Sequence, residues 1–182
     1  MRVTLLPAAA IVALAPAGAF AVDYMSAEQA QKRMFPQADA FERLEPVLDA
    51  DDMRRLNDAG LKPYPRRLPV HVAKQGGGTL GYFVVDEAVG KFERITYALG
   101  MNADGSVRQL EILSYRESHG HEIRLPAWRR QFEGKTAGSP LRVGDDIANI
   151  SGATLSCAHV TDGVRRDVVW LDMLRRAGKL PS

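Results

Sequence analysis

Four apolar-rich runs separated by short turn segments fill the middle of the chain, and they constrain its fold most strongly. They span residues 68–73, 80–85, 92–99 and 107–115. The breaks between them contain Gln75-Gly76-Gly77-Gly78, Gly90 with its neighbours from Glu87 to Lys91, and Ala103-Asp104-Gly105. Connections of this kind join antiparallel neighbours, and we expect the tightest hairpin at Asp104-Gly105. The pattern therefore predicts an antiparallel meander.

Helical patterns flank this meander on both sides. Ser26 and Asp49 are typical N-cap residues, and they predict one helix through Arg33 and a second one ended by Gly60. A short helix is expected over 126–132 and a long one from near Thr154 to Gly178. The long helix has one apolar face, made by Cys157, Val160, Val164, Val168, Leu171 and Leu174. The predicted fold class is α+β, an antiparallel sheet flanked by helices, with Cys157 as a buried hydrophobe.

The first 21 residues have the layout of a cleavable signal peptide. Arg2 precedes an apolar stretch over 3–18, and Ala19-Phe20-Ala21 supplies a small-x-small cleavage site. An uncleaved membrane anchor is the alternative, but Pro7 and Pro16 interrupt the stretch. We expect cleavage after Ala21 and a periplasmic protein without a membrane span. Residues 22–182 would then form a single domain with a helical lead-in and a core at about 68–177.

Charge and cysteine content exclude several functional classes. The chain has 24 basic and 22 acidic residues, and removal of Arg2 with the signal leaves 23 against 22. A net charge so close to zero gives no reason to expect a nucleic-acid partner. The single cysteine excludes a disulfide within the chain. A metal site at His119-Gly120-His121-Glu122 is disfavoured, because the remaining histidines lack ligand spacing.

A segment with anion-binding character precedes the long helix. It consists of Ser151-Gly152-Ala153-Thr154-Leu155-Ser156, and we expect Ser151 to cap the helix. The first N–H groups of a helix have no partners within it, and the helix dipole adds partial positive charge, so a phosphate can bind there. From these residues alone, a simple N-cap remains the more frequent interpretation.

This segment, followed by Val160-Thr161-Asp162-Gly163-Val164, resembles the flavinylation motif of the FMN-binding domain family. That family includes the C subunit of the sodium-pumping NADH:quinone oxidoreductase and the G subunit of the Rnf complex. Glu117-Ser118-His119-Gly120 resembles the family's Glu-Thr-Pro-Gly turn, with Ser118-His119 in place of Thr-Pro. Further matches are Gly81-Tyr82, Asp104-Gly105-Ser106-Val107, Trp128, Gln131-Phe132 and Gly134-Lys135. Ala148 stands where the family usually has an acidic residue.

The resemblance implies that FMN is the cofactor and that Thr154 carries it as a phosphoester, installed by a flavin transferase. The other implied cofactor-binding residues are Ser151, Gly152, Ala153, Leu155, Ser156, Glu117, Ser118, His119 and Gly120. The implied function is electron transfer with a membrane or periplasmic redox protein, and no residue is predicted to be catalytic.

Two alternatives stay open: a flavin reductase with its own small substrate, and a binding module that has lost the flavin. No Gly-x-Gly-x-x-Gly fingerprint for NAD(P)H occurs in the sequence. Stand-alone enzyme activity is therefore the less favoured expectation.

Overall fold

The computed structural model describes residues 22–61 and 68–182, so the predicted signal peptide lies outside the described residues. Within them, six strands form one antiparallel sheet: β1 (Val22–Asp23), β2 (Ala40–Leu44), β3 (Val70–Gln75), β4 (Gly78–Val89), β5 (Arg94–Asn102) and β6 (Val107–Tyr115). The strand order is β1-β6-β5-β4-β3-β2. The four consecutive strands β3 to β6 are the meander that the sequence predicts.

In the same described residues, four α-helices accompany the sheet: α1 (Ala27–Met34), α2 (Ala50–Asp58), α3 (Pro126–Arg129) and α4 (Thr154–Arg176). Short 3₁₀ turns occupy His121–Arg124 and Arg130–Phe132. Ser26 and Asp49 cap α1 and α2 through capping boxes, which confirms both predicted helix starts. None of the helices in the described parts of the chain is long and apolar enough to cross a membrane.

The sheet buries side chains on both faces. Helix α4 packs on β4 and β5, and all six residues of its predicted apolar face are at most 1% exposed. Alternate strand residues point to the opposite face. There Phe83, Ala98 and Leu113 pack with Met34 and Phe35 at the end of α1. The domain therefore has a hydrophobic layer on each side of the sheet.

The tightest hairpin joins β3 to β4, so the prediction for Asp104-Gly105 was wrong. Gln75 pairs with Gly78, which leaves only Gly76 and Gly77 in the loop, both with positive φ. Such a two-residue turn matches the twist of the strands it joins, and glycine adopts it without strain. Four residues, 103–106, separate β5 from β6.

Strand β4 continues past Val85, where the sequence predicted its end, because Asp86 is buried in a polar cluster. Its carboxylate accepts a hydrogen bond from the Arg166 guanidinium of α4. The hydroxyl of Tyr97 donates to Asp167 Oδ2 at 2.6 Å, and the same hydroxyl lies 3.4 Å from Asp86 Oδ2. This Asp86–Tyr97–Arg166–Asp167 cluster joins α4 to β4 and β5 through polar contacts inside the core.

Candidate functional site

The two sequence segments that suggested a flavin meet at one pocket of about 500 Å³. Residues 117–119 of the turn after β6 form one side, and residues 152–156 at the start of α4 form another. Lys91 and Phe92, in the turn between β4 and β5, form a third side. The pocket thus collects three segments that are far apart in the sequence.

Gly120 brings the turn against the start of α4. A Cβ atom at Gly120 would lie 3.0 Å from the Cβ of Ala153 and 2.7 Å from the hydroxyl of Tyr115. The φ of Gly120 is also positive, at 87°, which favours glycine. No other residue fits this position without moving the two segments apart.

The hydroxyl of Tyr115, at the end of β6, connects the same two segments. It donates to the carbonyl of His119 and lies 3.0 Å from the Ser156 Oγ. Because the phenol has only one proton to donate, the Ser156 hydroxyl is the donor in the second bond. Tyr115 and Ser156 are both buried, so this bridge fixes the base of the pocket.

Helix α4 begins at Thr154 without a side-chain cap. Ala153 is its N-cap residue and has no side-chain hydrogen-bonding group, so the prediction that Ser151 caps the helix was wrong. Gly152 has a φ of 84° and turns the chain into the helix, which leaves Ser151 exposed two residues before the cap. The first N–H groups of a 23-residue helix therefore meet no side-chain acceptor.

The Thr154 hydroxyl is exposed at this helix start. Its Oγ1 accepts a hydrogen bond of 3.1 Å from the side-chain amide of Asn149. That bond occupies one lone pair of the oxygen and leaves the hydroxyl proton free to point away from Asn149. The threonine is thus oriented at the mouth of the pocket.

The matched residues between Trp128 and Lys135 support the loop that leads to Thr154. The Trp128 Nε1 donates to the carbonyl of Ala148 at 2.9 Å, and the Ala148 N–H donates to the Gln131 Oε1 at 2.7 Å. The Lys135 ammonium pairs with Asp146 at 2.9 Å. Phe132 packs edge-on against Trp128. These residues hold the loop in place and do not line the pocket.

The Glu117 side chain binds the turn between β4 and β5. Its Oε1 accepts hydrogen bonds from the N–H groups of Phe92, at 2.6 Å, and Glu93, at 3.0 Å. Partial burial opposes ionisation, but the N–H groups of Glu93, Phe92 and Lys91 outweigh it and lower the pKa of Glu117. The carboxylate is therefore ionised at neutral pH, and its Oε1 is bound by the backbone of the turn.

His119 and Ser118 lie at the exposed rim of the pocket. The Ser118 Oγ is 3.0 Å from the His119 Nδ1. Among residues 22–61 and 68–182, no group of three histidine, cysteine or acidic side chains is placed to hold a metal ion. Cys157 is fully buried, and burial raises the pKa of its thiol, which makes it a poor nucleophile.

Sequence reasoning missed four residues of this site: Tyr115, Asn149, Lys91 and Phe92. Phe92 was placed inside a strand, whereas β5 begins at Arg94 and Phe92 lies in the preceding turn, 75% exposed. Nothing in the local pattern shows that this turn reaches Glu117, which is 25 residues away. The terminal position of Tyr115 in its strand was the one available signal.

Comparison with known proteins agrees with this geometry. The family model described as "FMN-binding domain" matches residues 90–168, which include all three sides of the pocket and α4 as far as Val168. The G subunit of a proton-translocating ferredoxin:NAD(+) oxidoreductase complex from Clostridium ljungdahlii is 30% identical over 146 residues, covering 76% of this chain and 74% of the relative. The chain belongs to the FMN-binding domain family. The suspected resemblance is thereby confirmed, as is FMN as the cofactor of this electron-transfer family.

Two solved structures share the fold of this family member. The C subunit of the Na(+)-translocating NADH-quinone reductase from Parabacteroides distasonis has a TM-score of 0.50 at 16% identity, covering 81% of this chain and 84% of that chain. NqrC of Shewanella oneidensis has a TM-score of 0.51 at 14% identity, covering 86% and 82%. The predicted α+β class, an antiparallel sheet flanked by helices, is confirmed.

The chemistry of the pocket fits FMN. The uncapped N–H groups of α4 suit a phosphate, and no side-chain carboxylate competes for them. Phe92 and Leu155, 75% and 46% exposed, give the pocket apolar surface for a ring system. A phosphate site beside apolar walls matches the two ends of FMN.

Proposed function

We propose that this protein is an exported electron carrier whose FMN is joined to Thr154 through a phosphoester bond. The observation that carries the proposal is the position of the Thr154 hydroxyl. It is exposed at the first residue of α4, beside the pocket, at a helix end that has no side-chain cap. A phosphate attached there would accept hydrogen bonds from the helix N–H groups.

The proposed cofactor-binding residues divide between the two sides of the pocket. Residues 151–156 would hold the phosphate end, with Thr154 as the attachment point and Gly152 allowing close approach of the backbone. Residues 117–120 would face the polar edge of the ring, which Ser118 and backbone N–H groups can address. The Tyr115 bridge to Ser156 keeps the two sides at a fixed separation.

The proposed attachment needs FAD and a separate flavin transferase. The Thr154 Oγ1 forms a bond to the phosphorus on the FMN side of FAD, and the pyrophosphate bond breaks. AMP leaves with the bridging oxygen, and the hydroxyl proton passes to a base of the transferase. Exposure of Thr154 gives such an enzyme access to the oxygen. Covalent attachment would prevent loss of the cofactor outside the cytoplasm.

Bound FMN supplies reversible electron transfer, and the chain supports a carrier role by leaving one side of the pocket open at the surface. The names of the relatives, a ferredoxin:NAD(+) oxidoreductase subunit and an NADH-quinone reductase subunit, support a redox protein of a membrane complex as the partner. The composition of residues 1–21 supports export to the periplasm, with residues 22–182 as one domain.

Mass spectrometry of the denatured protein tests the attachment. The full chain is coexpressed with a flavin transferase, beside Thr154→Val, which keeps the shape of the side chain and removes the nucleophile. Thr136→Val is the matched control, because Thr136 lies away from the pocket. We expect an FMN adduct in the parent and the control, and none in Thr154→Val. An unmodified parent, or an adduct that persists in Thr154→Val on Ser151 or Ser156, would contradict the proposal.

A further inference from the structure

The turn between β4 and β5 forms one side of the pocket, although it lies outside both proposed cofactor-binding segments, 117–120 and 151–156. Lys91 and Phe92 line the pocket, and Phe92 is the most exposed large apolar side chain in the described part of the chain, at 75%. We propose that Phe92 is a wall of the flavin site that packs on the isoalloxazine ring, and that Glu117 is the positioning residue that holds this wall. This inference rests on the proposed function.

The turn is held tightly although its aromatic side chain is exposed. Two of its N–H groups donate to the Glu117 carboxylate, and the Gly90 N–H donates to the Glu93 carbonyl at 2.8 Å. A Cβ atom at Gly90 would lie 2.5 Å from the Glu117 Oε1, so only glycine lets the turn close around the carboxylate. The backbone of the turn is therefore held by hydrogen bonds while the Phe92 side chain stays exposed.

The two faces of the Phe92 ring differ. The Lys91 Nζ lies 4.9 Å from the ring centroid and covers one face through a cation–π contact. The ring remains 75% exposed, so the rest of its surface is free for a partner. Leu155, 46% exposed at the start of α4, lines the same pocket. A flat, largely apolar ring system would bury apolar surface of both side chains.

The placement of Glu117 explains why an acidic residue can line a site for an anionic cofactor. Its negative charge is stabilised by backbone N–H groups of the turn, and the Oε1 atom that receives them does not face the pocket as a free acceptor. Removal of the carboxylate would release the turn and reduce the shielding by Phe92. The effect of Glu117 on the flavin would then pass through Phe92.

Collisional quenching of flavin fluorescence by acrylamide tests whether Glu117 acts on the flavin through Phe92. The flavinylated full-length protein is used. The variants are Phe92→Ala, Phe92→Leu, Glu117→Ala, and the double variant of the two alanine changes. Val47→Ala is the control for an exposed apolar residue outside the pocket, and Glu93→Gln is the control for an acidic residue of the same turn. Acrylamide is neutral, so the charge of Lys91 does not bias its approach.

We expect Phe92→Ala and Glu117→Ala to raise the quenching constant at least about twofold, because loss of an aromatic wall opens one face of the ring to solvent. Phe92→Leu should fall between the parent and Phe92→Ala, and both controls should match the parent. The double variant should not exceed Phe92→Ala, since Glu117 acts through Phe92.

The outcomes separate this inference from the proposed function. A parent without flavin contradicts the proposed function, and the inference fails with it. A flavinylated parent whose Phe92→Ala variant behaves like Val47→Ala overturns only the aromatic wall. Additive effects of Glu117→Ala and Phe92→Ala overturn the positioning role of Glu117.

Discussion

Replacement of Gly163 by alanine tests the packing of α4 on the sheet, because two effects of opposite sign compete there. Gly163 lies in the middle of α4, where alanine improves helix propensity by about 1 kcal/mol. A Cβ atom at this position would lie 2.6 Å from the Tyr97 hydroxyl oxygen and 3.2 Å from the Tyr97 Cζ. Unstrained contacts with carbon are at about 3.5 Å, so the hydroxyl would have to retreat by about 1 Å.

The hydroxyl cannot retreat without loss, because Tyr97 is fully buried and donates to Asp167 at 2.6 Å. Overpacking costs about 1–3 kcal/mol, and an unsatisfied buried polar group costs about 1–3 kcal/mol. After the gain in helix propensity, we expect Gly163→Ala to lower the free energy of unfolding by about 1–5 kcal/mol.

A double-mutant cycle with Tyr97→Phe identifies the atom responsible. Tyr97→Phe removes the hydroxyl, so the ring atom nearest to the added Cβ is 3.2 Å away. Most of the loss in unfolding free energy caused by Gly163→Ala should then disappear. Urea unfolding followed by circular dichroism should give a coupling energy of at least about 1.5 kcal/mol. Gly138→Ala, where a Cβ would have its nearest neighbour at an ordinary 3.8 Å, is the control. A Gly163→Ala protein as stable as the parent, or an additive cycle, would refute the reasoning.

Two further predictions concern the buried acid and the pocket glycine. Burial raises the pKa of Asp167 well above its usual value. The folded protein therefore keeps a proton that the unfolded chain releases near pH 4. The free energy of unfolding should fall as the pH rises from about 4 to the pKa of Asp167 in the folded protein. Asp167→Asn should flatten this dependence in urea titrations at several pH values, and an unchanged slope would contradict the assignment. Gly120→Ala should cost about 2–4 kcal/mol in the same assay, because it adds contacts of 2.7 Å to Tyr115 and 3.0 Å to Ala153 to the strain of a positive φ. Gly134→Ala, with positive φ and open space, should cost clearly less, and equal losses would exclude the steric explanation.

The sequence predicted correctly the features that depend on residues close together along the chain. The caps at Ser26 and Asp49 and the apolar face of α4 are of this kind, and each is confirmed. Strand β2 was missed because only two of its five residues are even partly buried, so its sequence shows no alternation between apolar and polar residues. Its place depends on pairing with β3, which sequence patterns do not encode.

Contacts between distant segments account for the other differences. The predicted strand ended at Val85, before the charged Asp86, yet Asp86 pairs with Arg166, 80 residues away, and the strand continues. Phe92 was assigned to a strand because the sequence does not show that its turn is held by Glu117, 25 residues away. The resemblance to a family found the two flavin-related segments, but it could not show which of their residues line the pocket and which support it.

The pairing of β1 sets an order of events for an exported chain. Val22 and Asp23 pair with Tyr115 and Ser114 of β6, and the Tyr24 N–H donates to the Leu113 carbonyl at 2.8 Å. Cleavage after Ala21 would make Val22 the first residue, inside this strand. If a signal peptidase requires an extended, unpaired substrate, this cleavage would have to precede closure of the sheet edge. A delay in cleavage would thus delay the pairing of Val22 and Asp23 with β6.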